Sequence, residues 1–187
     1  NVNFDFRAGS TFNSSLRVNT GTLLAYNSSS PYIATFSGTI TVDAGATLSV
    51  QSGGYTTVAN NTVTNNGTIN GNGSAFRMKG TSLSNSGSIT ISNFIFDSTT
   101  SLSGSGTYTS NAISIGGLGN VSLTNNLTFS PATSFLINSG GILNPNTKTF
   151  TYNTGTFYIN SGGTVSNSGI FQTQGSVNLI IRSGSNF

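Results

Sequence analysis

Short runs along this chain alternate apolar and polar residues: Thr39-Ile40-Thr41-Val42, Leu48-Ser49-Val50, Ser88-Ile89-Thr90-Ile91 and Val121-Ser122-Leu123. A period of two marks a strand buried on one face. Clusters of Gly, Asn and Ser separate the runs and supply residues that tolerate positive φ at corners. No segment carries the spacing of an amphipathic helix, so the pattern predicts an all-β chain.

The strand-and-corner units repeat. Phe135-Leu136-Ile137-Asn138-Ser139-Gly140-Gly141 returns as Phe157-Tyr158-Ile159-Asn160-Ser161-Gly162-Gly163, an offset of 22. The pattern of 44–54 returns at 131–141, an offset of 87, and Asn19-Thr20-Gly21-Thr22-Leu23 returns as Asn153-Thr154-Gly155-Thr156-Phe157, an offset of 134. A second motif, Asn65-Asn66-Gly67-Thr68-Ile69, recurs as Asn85-Ser86-Gly87-Ser88-Ile89 and Asn167-Ser168-Gly169-Ile170-Phe171. The two ends also match: 2–12 aligns with 177–187 at an offset of 175, with six of eleven positions identical. The offsets of 87, 134 and 175 fall near four, six and eight times 22, while the first two copies of the second motif lie 20 apart, so coil length varies by a residue or two.

Short strands at regular spacing fit a sandwich or barrel as well, but a repeat of this length points to coils stacked on coils. The expected architecture is a parallel β-solenoid of about eight coils of roughly 22 residues in one domain spanning 1–187. Stacked at ~4.8 Å, eight coils rise about 38 Å. Inward Val, Ile, Leu and Phe form axial columns, and corner Asn and Ser stack as ladders.

Composition narrows the function. Charged residues are 5% of the chain, Cys and His are absent, and the three acidic residues are Asp5, Asp43 and Asp97. Thirteen Phe and six Tyr exclude an ordinary disordered chain. Lack of Cys excludes a disulfide framework. The net charge of +3 is spread over Arg7, Arg17, Arg77, Lys79, Lys148 and Arg182, with no basic run to grip nucleic acid. No apolar run has the ~20 residues that span a bilayer as a helix. A start at Asn1 reads as a processed chain or a part of a longer one.

The runs Gly38-Thr39-Ile40-Thr41-Val42, Ala44-Gly45-Ala46-Thr47-Leu48 and Asn66-Gly67-Thr68-Ile69 resemble the repeats of bacterial autotransporter passengers and filamentous-haemagglutinin-like adhesins. The resemblance is one of composition and rhythm over most of the chain. It implies a right-handed parallel β-helix on the cell surface or in the extracellular matrix, and it carries no functional residue across.

Candidate chemistry is sparse. Glycosidic acid–base catalysis needs two carboxyl groups at a controlled separation. Asp43 and Asp97 begin similar segments at an offset of 54, which is not a whole number of coils; both read as turn residues before strands. His or Cys metal sites are excluded, Gly116-Gly117-Leu118-Gly119 lacks a phosphate loop's Gly-Lys-Ser/Thr ending, and no cofactor or enzymatic activity is expected. Arg77-Met78-Lys79 reads as a solvated corner or an anion contact. Tyr26, Tyr32, Tyr55, Tyr108, Tyr152 and Tyr158 read as core columns or as rings for sugars. The Thr-X-Thr pairs Thr39/Thr41 and Thr149/Thr151 invoke ice binding, but no Thr-X-Thr ladder is continuous in the sequence.

The reading that follows is a structural extracellular protein, a solenoid segment or subunit of a surface fibre assembled end to end. Its partner is itself, as a head-to-tail copy or the next covalent repeat. The expected junction comprises Val2, Phe4, Phe6, Val177, Leu179 and Ile181. The alternative is an adhesin stalk that binds glycan or a host surface.

Overall fold

The structure, a computed structural model, describes residues 2–5, 11–26, 33–50, 56–166 and 168–187. These form strands joined by short turns, and all ladders between them are parallel. The chain winds as a β-solenoid with three faces per coil.

Face one is built from Val2–Asp5, Thr22–Tyr26 and Thr47–Val50, then from the first parts of Thr68–Met78, Ser88–Phe96 and Thr107–Ile115. Leu127–Phe129, Thr149–Tyr152 and Ile170–Thr173 continue it as a separate ladder. Face two runs from Thr11–Phe12 through Ile33–Phe36 and Thr56–Ala59, takes the second parts of the three long strands, and ends with Ser134–Ile137, Gly155–Ile159 and Val177–Ile181. Face three is one unbroken eight-stranded sheet from Leu16–Val18 to Thr164–Val165. Asn186 adds a last bridge to Thr164.

Paired residues give the coil length directly. Val2↔Leu23, Leu23↔Leu48, Leu48↔Ile69, Ile69↔Ile89 and Ile89↔Tyr108 on face one are steps of 21, 25, 21, 20 and 19. Ile113↔Phe135, Phe135↔Phe157 and Phe157↔Leu179 on face two are steps of 22 each. Eight steps join nine layers. The shortest fall where one strand bends through the corner between faces one and two, as Ser88–Phe96 and Thr107–Ile115 do.

Alternation explains the core. Leu48–Ser49–Val50 and its neighbours bury every second residue, so each strand gives one side chain per two residues to the interior. One apolar cluster runs from Leu16 to Val165 along the stack, and each fully buried Leu, Ile or Phe contributes about 1.5–3 kcal/mol. Aromatic rings follow one another up the axis: Phe129 stacks on Phe150 at 5.4 Å, Phe150 on Phe171 at 5.5 Å, and Phe135 on Phe157 at 5.0 Å. Amide ladders form too. Asn65 Nδ2 donates to Asn85 Oδ1 at 2.8 Å inside the core, and Asn160 Nδ2 to Asn138 Oδ1 at 2.9 Å at a corner.

The register also shows what the long sequence offsets measure. The match from Phe135 to Phe157 is a true coil step. The offsets of 87, 134 and 175 pair a face-one strand with a face-two strand: Leu48 with Phe135, Leu23 with Phe157, Val2 with Val177. They are whole coils plus one face.

Candidate functional surfaces

The two ends of the stack come first, because five of the six large apolar residues that stand exposed among the described residues lie there. Val2 is 59% exposed in the first layer; Ile170, Leu179, Ile181 and Phe187 are 60%, 39%, 50% and 56% exposed in the last. For three of them the cause is register: Val2 sits over Leu23, Leu179 over Phe157 and Ile181 over Ile159, in inward columns packed on one side alone, whereas Ile170 pairs with Thr149 at an outward position. Each end also presents a strand edge paired on one side alone, which is a template for another strand. A Phe pair marks each end, Phe4–Phe12 and Phe171–Phe187, both at 5.4 Å between ring centres.

Of the six expected junction residues, Val2 and Phe4 lie in the first layer on face one. Val177, Leu179 and Ile181 lie in the last layer on face two. Phe6 falls outside the described residues. The five thus lie at opposite ends of the stack and on neighbouring faces. The resemblance of the two terminal segments does not stack like upon like.

The carboxylates are apart. Asp43 follows a face-three strand in the second layer and Asp97 a face-two strand in the fifth, so no coil brings them together. Each has a basic partner. Arg17 Nε donates to Asp43 at 2.8 Å, a bond that raises the guanidinium above its ordinary value. Arg77 Nε lies 3.1 Å from Asp97. Arg17 is largely solvated, so its pair contributes little to stability. Among the described residues no group of three or more His, Cys, Asp or Glu could hold a metal ion. The hydroxyl of Tyr152 donates to the Thr156 carbonyl at 3.0 Å beneath the surface, and Tyr108 is buried between Phe94 and Phe129. These two rings belong to the core columns.

Burial pushes the Tyr152 phenol up to about 12 and the Tyr108 phenol further up. The folded chain therefore holds protons that unfolded phenols release near pH 10. Their contribution is complete below about pH 10 and is lost as pH rises toward 12. The chain also lacks His, Glu and Cys, the side chains that ordinarily titrate between about pH 4.3 and 8.5. The melting temperature is expected to stay flat from about pH 5 to 9 and to fall steeply above about pH 10. Thermal melts across that range check it; a fall already between pH 7 and 9 would contradict the assignment.

The outward side chains differ by face. On face two, one outward column runs Val58, Arg77, Ile95, Ser114, Leu136, Tyr158, Ile180. On face three the outward positions of five successive layers are hydroxyls: Thr39 and Thr41, Thr62 and Thr64, Ser82 and Ser84, Ser101 and Ser103, Ser122 and Thr124. Reading Thr alone misses this ladder, because Ser replaces Thr in the later coils. The second Thr-X-Thr pair, Thr149/Thr151, lies on face one and does not belong to it.

No protein-family model, curated protein or solved structure matches the chain.

Proposed function

We propose that this chain is a structural segment of an extracellular surface fibre, extended at its ends by further copies of the same solenoid. The observation that carries this reading is the concentration of exposed apolar side chains and one-sided strand edges in the first and last layers. The likeness of the repeats to autotransporter passengers and haemagglutinin-like adhesins, together with 5% charge and no Cys, supports a place at the cell surface.

The geometry defines the join. Continuing the three faces sets Ile170–Thr173 against Val2–Asp5 of the next copy, Val177–Ile181 against Thr11–Phe12, and Asn186 against Leu16–Val18. Phe171 and Phe187 then meet Phe4 and Phe12, prolonging the aromatic columns. Such a head-to-tail contact does not close on itself and yields an open filament.

Electron microscopy of the purified chain is expected to show filaments with an axial repeat of about 43 Å, nine layers at ~4.8 Å. Leu179→Asp sets a carboxylate in the inward column of the junction, where an unpaired charge is strongly unfavourable, and should leave short rods. Ser114→Asp, on an outward side, should not. Filaments unaffected by Leu179→Asp would remove the junction, and rods alone at every concentration would remove the fibre reading for this chain.

A further inference from the structure

Face three combines three properties that no other side of the stack shares. Its sheet is continuous over eight strands, whereas the register of the sheet carrying faces one and two shifts between Gly71 and Ala75. Face one breaks into a second ladder after Thr107–Ile115. Its outward hydroxyls in layers two to six form two columns without a charged, aromatic or large apolar side chain among them; Arg17, in the layer before, is the nearest basic residue in those columns and is turned to Asp43. And the hydroxyls are largely unspent. Among the described residues the side-chain hydroxyls of Thr41, Thr64, Ser84, Ser101, Ser103 and Ser122 make no hydrogen bond within the protein, although their backbones are paired in the sheet. Thr39 bonds to Ser15 at 2.9 Å, Ser82 to Thr62 at 3.2 Å, and Thr124 to the Leu102 carbonyl at 3.0 Å.

The content of this face is not a by-product of a chain rich in Ser and Thr. The same chain places Ile95, Leu136, Tyr158 and Ile180 outward on face two, where the backbone allows hydroxyls equally well.

Parallel pairing makes the array a grid. Successive layers are ~4.8 Å apart and outward positions on one strand about 6.6 Å apart, so ten hydroxyls cover a plane about 19 Å long. A backbone bonded above and below holds them rigid, and water bound to such a grid gives up little further freedom on joining a lattice. Grid steps of ~4.8 Å and about 6.6 Å are of the size of the oxygen repeats on the surfaces of crystalline water.

We propose that face three is a docking plane for ice, through water ordered on the columns of Thr39, Thr62, Ser82, Ser101 and Ser122 and of Thr41, Thr64, Ser84, Ser103 and Thr124. Ice is favoured over a crystalline polysaccharide because sugar faces are held by flat aromatic rings, and this plane has none. Lack of charge suits the same partner, since a charged group orients water away from the tetrahedral arrangement of the crystal. The proposal stands on a side of the stack, not its ends, and is independent of the fibre reading.

The test is partition of the whole chain into a slowly growing ice front, with inhibition of ice recrystallisation as the second readout. The native chain is expected to be taken into the ice and to keep crystals small. Thr64→Tyr with Ser84→Tyr, two outward changes that raise the plane, should drop incorporation to that of an inert carrier protein, with the circular dichroism of the native fold retained. Ser114→Tyr, on face two, should behave as native. Exclusion of the native chain from ice would overturn the proposal. So would equal behaviour of the array and face-two variants, or retention by crystalline cellulose or chitin without uptake into ice.

Discussion

Phe135→Ala is expected to lower the unfolding free energy by about 3–5 kcal/mol, the range for deleting a fully buried Phe. The ring is 1% exposed and packs on four others: Phe129, Phe150, Tyr152 and Phe157, with centroids 5.8, 5.4, 6.3 and 5.0 Å away. Ring pairs in stacked or edge-to-face geometry add about 0.5–1.5 kcal/mol beyond their buried area, and Ala removes all four at once. No neighbour is placed to fill the gap, because each is itself held by a strand in a fixed register. The loss should also be local. Each coil touches only the coils beside it, so stability sums rung by rung. Weakening the rung at Ser134–Ile137 should uncouple the layers above it, from Thr149–Tyr152 onward, from the rest. Hydrogen exchange should then show the amides of Gly155–Ile159 and Val177–Ile181 opening at lower free energy than those of Ser88–Phe96, whose protection stays near native. A uniform loss of protection along the whole chain would mean that the solenoid unfolds as one unit, and the additive picture would fail.

Strand type and coil length were legible because both follow from local chemistry. Alternation at Thr39-Ile40-Thr41-Val42 reports a half-buried strand wherever it lies, and Phe135 and Phe157 share a column because their segments share a sequence. Which face a segment occupies was not legible. Every corner of a three-faced coil asks for the same thing, an apolar strand and then a tight turn that admits Gly. Asp43-Ala44-Gly45-Ala46 turns from face three to face one, and Asn138-Ser139-Gly140-Gly141 from face two to face three, with Gly45 and Gly140 both at positive φ near 80°. The end-to-end match from Val2 to Val177 is of this kind: it picks out the two ends of the stack but sets a face-one strand against a face-two strand. The hydroxyl plane stayed hidden for a different reason. Ser and Thr are interchangeable to a hydroxyl ladder but not to a motif, and only the register shows that Ser84 stands on Thr64.

Gly87→Ala is expected to cost at least about 3 kcal/mol or to prevent folding, at the upper end of the range for overpacking, and the reason separates two roles that corner glycines play. The repeated Asn-X-Gly corner suggests a demand for positive φ, yet Gly67 and Gly87 are not among the residues in that conformation. Their constraint is distance. A Cβ on Gly87 would stand 1.9 Å from the Gly67 carbonyl oxygen, and one on Gly67 would stand 2.3 Å from that of Asp43 and 2.4 Å from that of Ala46. The colliding atoms are backbone, and the Gly67 carbonyl is already engaged by the Ser88 amide at 2.9 Å. Room for a methyl group can be made only by parting two coils, which would strain the adjoining Asn65–Asn85 bond in the core. Gly45 is the opposite case: φ is +79° and nothing lies within 4 Å of a Cβ there. Gly45→Ala should cost only the left-handed conformation, about 1–2 kcal/mol. Urea unfolding of the two variants beside the native chain therefore ranks the causes. Gly87→Ala well below Gly45→Ala in midpoint assigns these corners to close stacking of backbone on backbone, and the reverse order would return them to conformational preference alone.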